Sequence, residues 1–532
     1  RVLVLVHCDV DALCACSIIV SLLRSEHVLY TLVCVNGIQE LRDAYAQHVQ
    51  QVRYVIFINC GATLDLVELL DPPENQVLFV ADMHRPMDVC NIYSAGQVCL
   101  LMQPEDDEEI PSYGDIFREE EARHHAEDSE EEEEEEGAEE ENEGDEGENG
   151  RRRKRRRFDE EALMKRREKR EWENHRRQIL FDYTQFSYYG SPTSVLMYNL
   201  AWRLSKDNNE LLWLAIVGLS DLFLNGHMDK RRYLLHVGDL QSHVARLNHT
   251  ITEDSLQMSA DSMHISFEKE LQLALFRHWS LWESLRHSPY TACKFRLWSL
   301  KGEKRLHEFL AELGLPLVQC KQKYCAMDVS LRNELFSLLE SKSEKYELED
   351  LIYGSFLLQL GLRYKFSAAD FVFSLGALLE SHESYQDVTE GNGGREAAAE
   401  SQFETSADSP RHDKHSFSWT FLYLSHPTAL ARFAYFVLLA NEASRRNKRS
   451  RTLPLVLCLP VTEGAMHIPG IDQSVTFSIL IGIPPFLFGK AFEQAAEKTE
   501  SLIYQDCFDP SIVHLRTEDR TKFLDALVSL MT

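Results

Sequence analysis

The residues best suited to chemistry lie in three short strings. His7-Cys8-Asp9-Val10-Asp11 follows the apolar run 2–6, Asn59 follows 52–58, and Asp82-Met83-His84-Arg85-Pro86 follows 77–81. Two carboxylates at i and i+2 on a turn can aim at one cation. Magnesium or manganese takes such oxygen ligands, and a second carboxylate–histidine set can hold a neighbouring ion. Two ions about 3.5–4 Å apart activate water and stabilise an in-line phosphoryl transition state. Taken singly, each string has another reading, a turn that caps the next helix.

These strings need a frame that brings them together. Over the first hundred residues, apolar runs 2–6, 28–35, 52–58 and 77–81 read as buried strands, and segments 12–23, 38–51 and 64–70 between them have helical spacing. That alternation predicts a parallel sheet with helices on both faces. Sites in such sheets lie beyond the carboxyl ends of the strands, which is where Asp9, Asp11, Asn59 and Asp82 fall. Segment 158–177 reads as a solvated helix with many i,i+4 pairs. Segments 191–204 and 211–219 read as apolar helices, the second closing on Ser220-Asp221. Residues 228–350 lack a strand rhythm and read as helical, with helices over 267–285 (carrying Trp279 and Trp282), 302–313 and 331–339. Beyond 416 the α/β rhythm returns, with strands over 419–424, 453–459, 475–481 and 512–515 and helices over 429–440, 486–498 and 521–530.

The expected organisation is therefore an N-terminal α/β domain begun by 1–117 and completed by helices in 158–227. An acidic then basic loop, 118–157, interrupts it. A helical inserted domain, 228–350, is followed by a connection, 351–380, a disordered linker, 381–416, and a smaller C-terminal α/β domain, 417–532. At 532 residues and 44% hydrophobic the chain has material for such cores. Apolar stretches such as 211–219 are too short to cross a bilayer, so no membrane partner is expected. No signal peptide is visible, and the opening on a strand at Arg1 suggests that a native N-terminal segment is missing.

Twelve cysteines are scattered through apolar runs and read as reduced structural thiols. The net charge of −29 is concentrated in 119–148, with an unbroken Glu run over 130–136. The heptad Arg151, Arg152, Arg153, Lys154, Arg155, Arg156 and Arg157 follows at once. Such blocks repel themselves and stay disordered. The heptad reads as a nuclear import signal, with DNA-backbone contact or a solvated spacer as alternatives. The overall acidity argues against indiscriminate nucleic-acid binding.

In their order, these segments resemble the DHH phosphoesterase superfamily, most closely RecJ-type nucleases. His7-x-Asp9-x-Asp11-Ala12 is similar to the first motif, where nucleases generally have Asp at the position of His7 and Gly at that of Ala12. Asn59-Cys60-Gly61 resembles the second, in which an aspartate stands at the position of Asn59. Asp82-Met83-His84 resembles the name-giving Asp-His-His, with Met83 replacing the first histidine. Gly218-Leu219-Ser220-Asp221 resembles the fourth, and Asp221 keeps its carboxylate. The longer strings Asp9-Val10-Asp11-Ala12-Leu13-Cys14-Ala15-Cys16, Ile58-Asn59-Cys60-Gly61-Ala62, Gly314-Leu315-Pro316-Leu317 and Lys522-Phe523-Leu524-Asp525-Ala526-Leu527 are similar to the cell division control protein forty-five family, eukaryotic replication factors related to RecJ. The resemblance runs from 2 to about 380 and resumes at about 453.

It implies a DHH-phosphoesterase-like parallel sheet domain with a helical insertion and a smaller C-terminal α/β domain. It implies no catalysis, no cofactor and no resident metal, with Asp9, Asp11, Asn59, Asp82, Met83, His84 and Asp221 as vestigial motif positions. Asn59 removes a charge from a cation cage, and Met83 offers a soft thioether where a hard ion prefers oxygen or imidazole. The implied role is a nuclear, non-catalytic subunit of the replicative helicase beside the hexameric Mcm ring and the GINS complex, binding single-stranded or replication-fork DNA. The insertion, with Trp279, Trp282 and Trp298, is the candidate for contacting the ring; those tryptophans otherwise read as core. No DNA-contacting residue can be assigned. The Gly-Gly-His substrate signature of RecJ nucleases is not found; Gly489-Lys490 stands in a helix-like context. The alternative is a metal-dependent DHH-type phosphoesterase or single-strand exonuclease.

Overall fold

The computed structural model describes residues 1–94, 96–102, 110–117, 160–254, 263–348, 350–361, 364–380, 427–445, 453–460 and 476–531. The acidic tract, the basic heptad, the expected linker 381–416 and the strand expected over 419–424 lie outside the described residues. The chain forms two units, one of Arg1–Asp106 with Ser187–Thr532 and one of Asp107–Phe186. The smaller unit contains the helix Glu160–Thr184. Its exposed Arg167–Glu171 pair, 3.0 Å apart, has the i,i+4 spacing that the charge pattern predicts.

The larger unit begins with strands β1 (Val2–His7), β2 (Tyr30–Val35), β3 (Tyr54–Ile58) and β4 (Val77–Ala81). After these, the short β5 (His84–Arg85) leaves the sheet, β6 (Val98–Leu100) returns to it, and β7 (Tyr188–Tyr189) pairs with β5. The sheet order is β2-β1-β3-β4-β6, and its pairs are parallel. Both faces of β1 are buried, as a continuous apolar run requires. Val2, Val4 and Val6 join a core with helix α1 (Val10–Ser25), while Leu3 and Leu5 join a second core with α2 (Ile38–His48). Register aligns the strand ends: Val6 stands opposite Ile58, and Ile58 opposite Ala81. The residues that follow each strand therefore meet at one edge.

Three further helices pack on the α1 face: α3 (Thr193–Arg203), α4 (Asn209–Leu224) and α5 (Lys230–Asp254). Asn208 caps α4 by accepting a hydrogen bond from the Leu211 N–H at 2.8 Å.

The section expected to be mainly helical contains a nine-residue strand, β8 (Met263–Leu271), which corrects the helix expected over 267–285. It pairs antiparallel with β9 (Ile352–Leu360), which pairs with β10 (Tyr364–Ser367). The next helix begins only at Leu281, where Ser280 and Glu283 form a capping box. The segment expected as a connection, 351–380, holds β9, β10 and helix α6 (Ala368–Glu380), and Tyr353, Phe356, Leu358, Ala368 and Val372 pack into the α1-face core. Between β8 and β9, helices such as Leu300–Glu312 and Val329–Ser343 enclose a separate core around Phe295, Phe309, Leu335 and Leu339. Trp282 packs partly against that core, whereas Trp298 is 53% exposed.

The C-terminal part is α/β, as expected. Helix α7 (Pro427–Ser444) precedes strands β11 (Leu455–Pro460), β12 (Phe477–Ile483), β13 (Ile503–Tyr504) and β14 (Ile512–Arg516), in the order β11-β12-β14-β13. Helices α8 (Gly489–Thr499) and α9 (Arg520–Met531) cover one face, and α7 packs on the other. Gly489 and Lys490 open α8.

Candidate functional site

Asp9 is the N-cap of α1, its Oδ1 accepting the Ala12 N–H at 2.7 Å. Asp11, two residues later in the first turn of α1, is fully buried and turns to the start of α3. There its Oδ2 accepts the Thr193 N–H at 2.8 Å, and its Oδ1 accepts the Ser194 N–H at 3.1 Å and the Ser194 hydroxyl at 2.6 Å. A carboxylate at a helix N-terminus satisfies amides that have no partner within the helix. Asp11 thus fastens α3 to α1.

Asn59 sits just past β3 with φ 53°, a left-handed conformation that asparagine tolerates better than most residues. Its Nδ2 donates to Asp9 Oδ1 at 3.2 Å, Asp9 Oδ2 at 3.3 Å and Asp11 Oδ2 at 3.1 Å, while its Oδ1 accepts the Thr193 hydroxyl at 2.5 Å. The amide therefore stands between the two carboxylates of the first motif. Burial, then the nearby Asp11, pushes the Asp9 carboxyl up to about 8. Burial also raises Asp11, against the Ser194 and Asn59 hydrogen bonds. Asp221, on α4, is raised to about 7 by burial, with Arg432 opposing. Asn225 Nδ2 donates to Asp221 at 2.8 Å.

Asp82 is equally committed. Its Oδ2 accepts the Ala62 N–H at 3.0 Å, and its Oδ1 meets the His84 N–H at 2.9 Å and His84 Nδ1 at 2.6 Å. Burial works to raise Asp82, but the His84 charge and hydrogen bonds outweigh it and hold the carboxyl low. For His84 burial works downward, and Asp82 overcomes it, to about 9. The pair is a tight buried ion pair. Met83 between them is turned into the α1-face core and is 5% exposed.

The edge is closed by residues that the sequence did not single out. Tyr189 stacks on His227 at 4.2 Å and lies 5.6 Å from His84, and its hydroxyl donates to Asp509 Oδ2 at 2.8 Å. Asp506, from the same C-terminal loop, accepts the Ile38 N–H on its carbonyl at 2.8 Å and the Gln39 N–H on Oδ1 at 3.0 Å, capping α2. A Cβ on Gly37 would come within 2.6 Å of that carboxylate. Phe508 is buried in the α2-face core, edge-on to His7 at 5.1 Å. The helix start was legible, since 191–204 reads as a helix and Thr193–Arg203 forms one, but nothing local marks Asp509.

Among the described residues, three potential ligand atoms come within 4.8 Å of one another only at Asp65, Asp88 and Cys90. There, Asp65 and Asp88 already cap short helices. The sequence-predicted positions Asp9, Asp11 and Asn59 meet directly, Asp82 and His84 form a separate pair, and Met83 leaves the site.

Asp11 and Ser194 press against α4 at Gly218, where a Cβ would run into Ser194 Oγ and Asp11 Oδ1. Gly218→Ala is expected to lower stability by roughly 3 kcal/mol through overpacking. The check is a lower urea midpoint at unchanged slope. Gly238→Ala on α5, where a Cβ meets nothing within 4 Å, is the control and should not destabilise.

A family model described as CDC45 matches residues 2–422 and 418–530. The cell division control protein 45 homolog of Mus musculus is 40% identical over 565 residues, spanning 100% of this chain and 97% of that protein. The homolog from Homo sapiens is 40% identical over 570 residues, spanning 100% and 97%. The crystal structure of CDC45 from Entamoeba histolytica superposes with a TM-score of 0.61 over 99% of this chain and 94% of that one. At 18% identity, that last likeness is one of fold.

Proposed function

The chain belongs to the CDC45 family, and from that premise we propose that it is a non-catalytic scaffold subunit of the eukaryotic replicative helicase. It acts in the nucleus beside the Mcm ring and GINS, in initiation and elongation of chromosomal replication, and binds single-stranded or fork DNA. The 151–157 heptad serves its import.

The observation that carries the non-catalytic reading is Asn59. Its amide donates to Asp9 and Asp11 at 3.1–3.3 Å, so a hydrogen-bond donor stands where a two-cation site needs a further anionic ligand. The other members of the donor set support the same reading. Asp11 spends its remaining acceptor capacity on α3, Asp82 is taken by Ala62 and His84, and Met83 contributes only to packing. This set does not fit a pair of hard divalent cations.

The test uses the purified chain with end-labelled single-stranded DNA and manganese. No degradation above background is expected, with no change on Asp82→Ala. Manganese-dependent degradation abolished by Asp82→Ala would instead make the protein a DHH-type phosphoesterase. Co-purification with Mcm and GINS subunits is the matching positive result, and its absence would sink the scaffold role.

A further inference from the structure

Between β2 and α2 the chain passes through Asn36-Gly37, and the fold needs that glycine for room. Gly37 is buried and extended, with φ −155°, a conformation open to any residue. A Cβ there would nonetheless lie 2.6 Å from Asp506 Oδ2. The C-terminal loop comes that close because Asp506 accepts the Ile38 and Gln39 N–H groups at 2.8 and 3.0 Å. Asn36 itself is exposed. Asparagine is a thermolabile side chain, and most so before glycine, where no Cβ hinders attack by the following backbone nitrogen. Docking of the C-terminal loop thus requires the residue that makes Asn36 labile. One side chain restrains it: Glu40 Oε2, in the first turn of α2, accepts the Asn36 N–H at 2.8 Å and Asn36 Nδ2 at 3.2 Å. Asn225-Gly226 is the contrasting pair. Asn225 is half-buried, ends α4 at φ −84° and ψ 0°, and donates from Nδ2 to Asp221 Oδ1 at 2.8 Å. The Gly226 N–H donates to the Phe223 carbonyl at 3.2 Å, so both reacting groups are engaged at the helix end.

We propose that Asn36 is a site of spontaneous deamidation, restrained by Glu40, whose product releases the C-terminal loop from α2. The Gly37 nitrogen attacks Asn36 Cγ, a C–N bond forms and the Cγ–Nδ2 bond breaks. The proton of the Gly37 N–H leaves with Nδ2 as ammonia. One water then opens the succinimide at either carbonyl, giving aspartate or isoaspartate. Amide plus water becomes acid plus ammonia, with no oxidation or reduction. Either product sets a second carboxylate beside Glu40 where a hydrogen bond stood, and like charges that close repel. Isoaspartate also routes the backbone through the former side chain. That adds a methylene just before the Ile38 and Gln39 amides that Asp506 caps.

The purified full chain is aged in mildly alkaline buffer, digested and mapped peptide by peptide, with isoaspartate read by isoaspartyl methyltransferase labelling. The map resolves Asn36 from Asn149-Gly150 and Asn392-Gly393, which lie outside the described residues. Asn36 is expected to convert progressively, more slowly than in a free peptide of residues 33–40, while Asn225 stays an amide. Glu40→Ala should speed conversion at Asn36 several-fold. Asn36→Gln, which keeps the amide on a longer side chain, should abolish it. Hydrogen exchange at Ile38 and Gln39 should accelerate as the wild type ages and stay constant as Asn36→Gln ages. Asn36 left intact where the free peptide converts fully would overturn the proposal. Equal conversion of Asn225, an unchanged rate in Glu40→Ala, or unchanged exchange at Ile38 and Gln39 in the converted chain would overturn it too. Asn36 and Glu40 are both exposed, and a folding failure at Glu40→Ala would still leave the wild-type and Asn36→Gln maps to decide.

Discussion

Asp11→Ala is expected to lower the unfolding free energy by about 3–5 kcal/mol. The carboxylate is fully buried and accepts from the Thr193 and Ser194 amides, the Ser194 hydroxyl and the Asn59 amide. Removing it strands several donors in one place. Each buried donor left without a partner costs about 1–3 kcal/mol, and local rearrangement recovers part of the sum. The loss is large against the roughly 5–15 kcal/mol by which domains are stable. Asp11→Asn should fall between the two, because its Oδ1 still accepts while its NH2 faces another donor. Urea unfolding reads both variants. A midpoint for Asp11→Ala within error of wild type would refute the account of α3 as fastened by this residue.

Phe508→Ala is expected to lose a similar amount, about 3–5 kcal/mol, but in a different place. Phe508 belongs by sequence to the C-terminal part, yet its ring lies among Leu3, Leu5, Val35, Leu41 and Phe57 on the α2 face. Truncation leaves a cavity there and loosens the loop whose Asp506 caps α2. Hydrogen exchange should therefore accelerate at the amides of Ile38 and Gln39, while α1 and α4 keep their protection. Equal acceleration on both faces would show global unfolding instead and remove Phe508 as a local fastener.

Much of the frame was readable because its signals are local. The continuous apolar runs of β1, β3 and β4 are what doubly buried parallel strands require, and the candidate residues follow them directly. Asn59 and Met83 were legible as departures from a motif, but their destinations were not. Asn59 meets Asp9 and Asp11 from 50 and 48 positions away, and Met83 turns into packing contributed by helices far along the chain. Thr193 and Ser194 act largely through backbone amides, which leave little mark on residue type. Strand β8 was missed because its partner β9 comes after the whole inserted core, Met263 standing opposite Leu360. Its own burial does not alternate cleanly, and the later helix start is fixed by the Ser280–Glu283 capping box.

The placement of Phe508 also sets an order of events during synthesis. The α2-face core includes Leu3 and Leu5, so one of its walls is missing until Phe508 has left the ribosome. Elongation at about 5–20 residues per second separates those events by roughly half a minute to two minutes. Throughout that interval a nascent parallel sheet presents an unfinished apolar face, the kind of surface that recruits chaperones or aggregates. A message truncated shortly before the codon for Phe508 would release a chain whose parallel sheet, complete in its own strands, still lacks a piece of its interior.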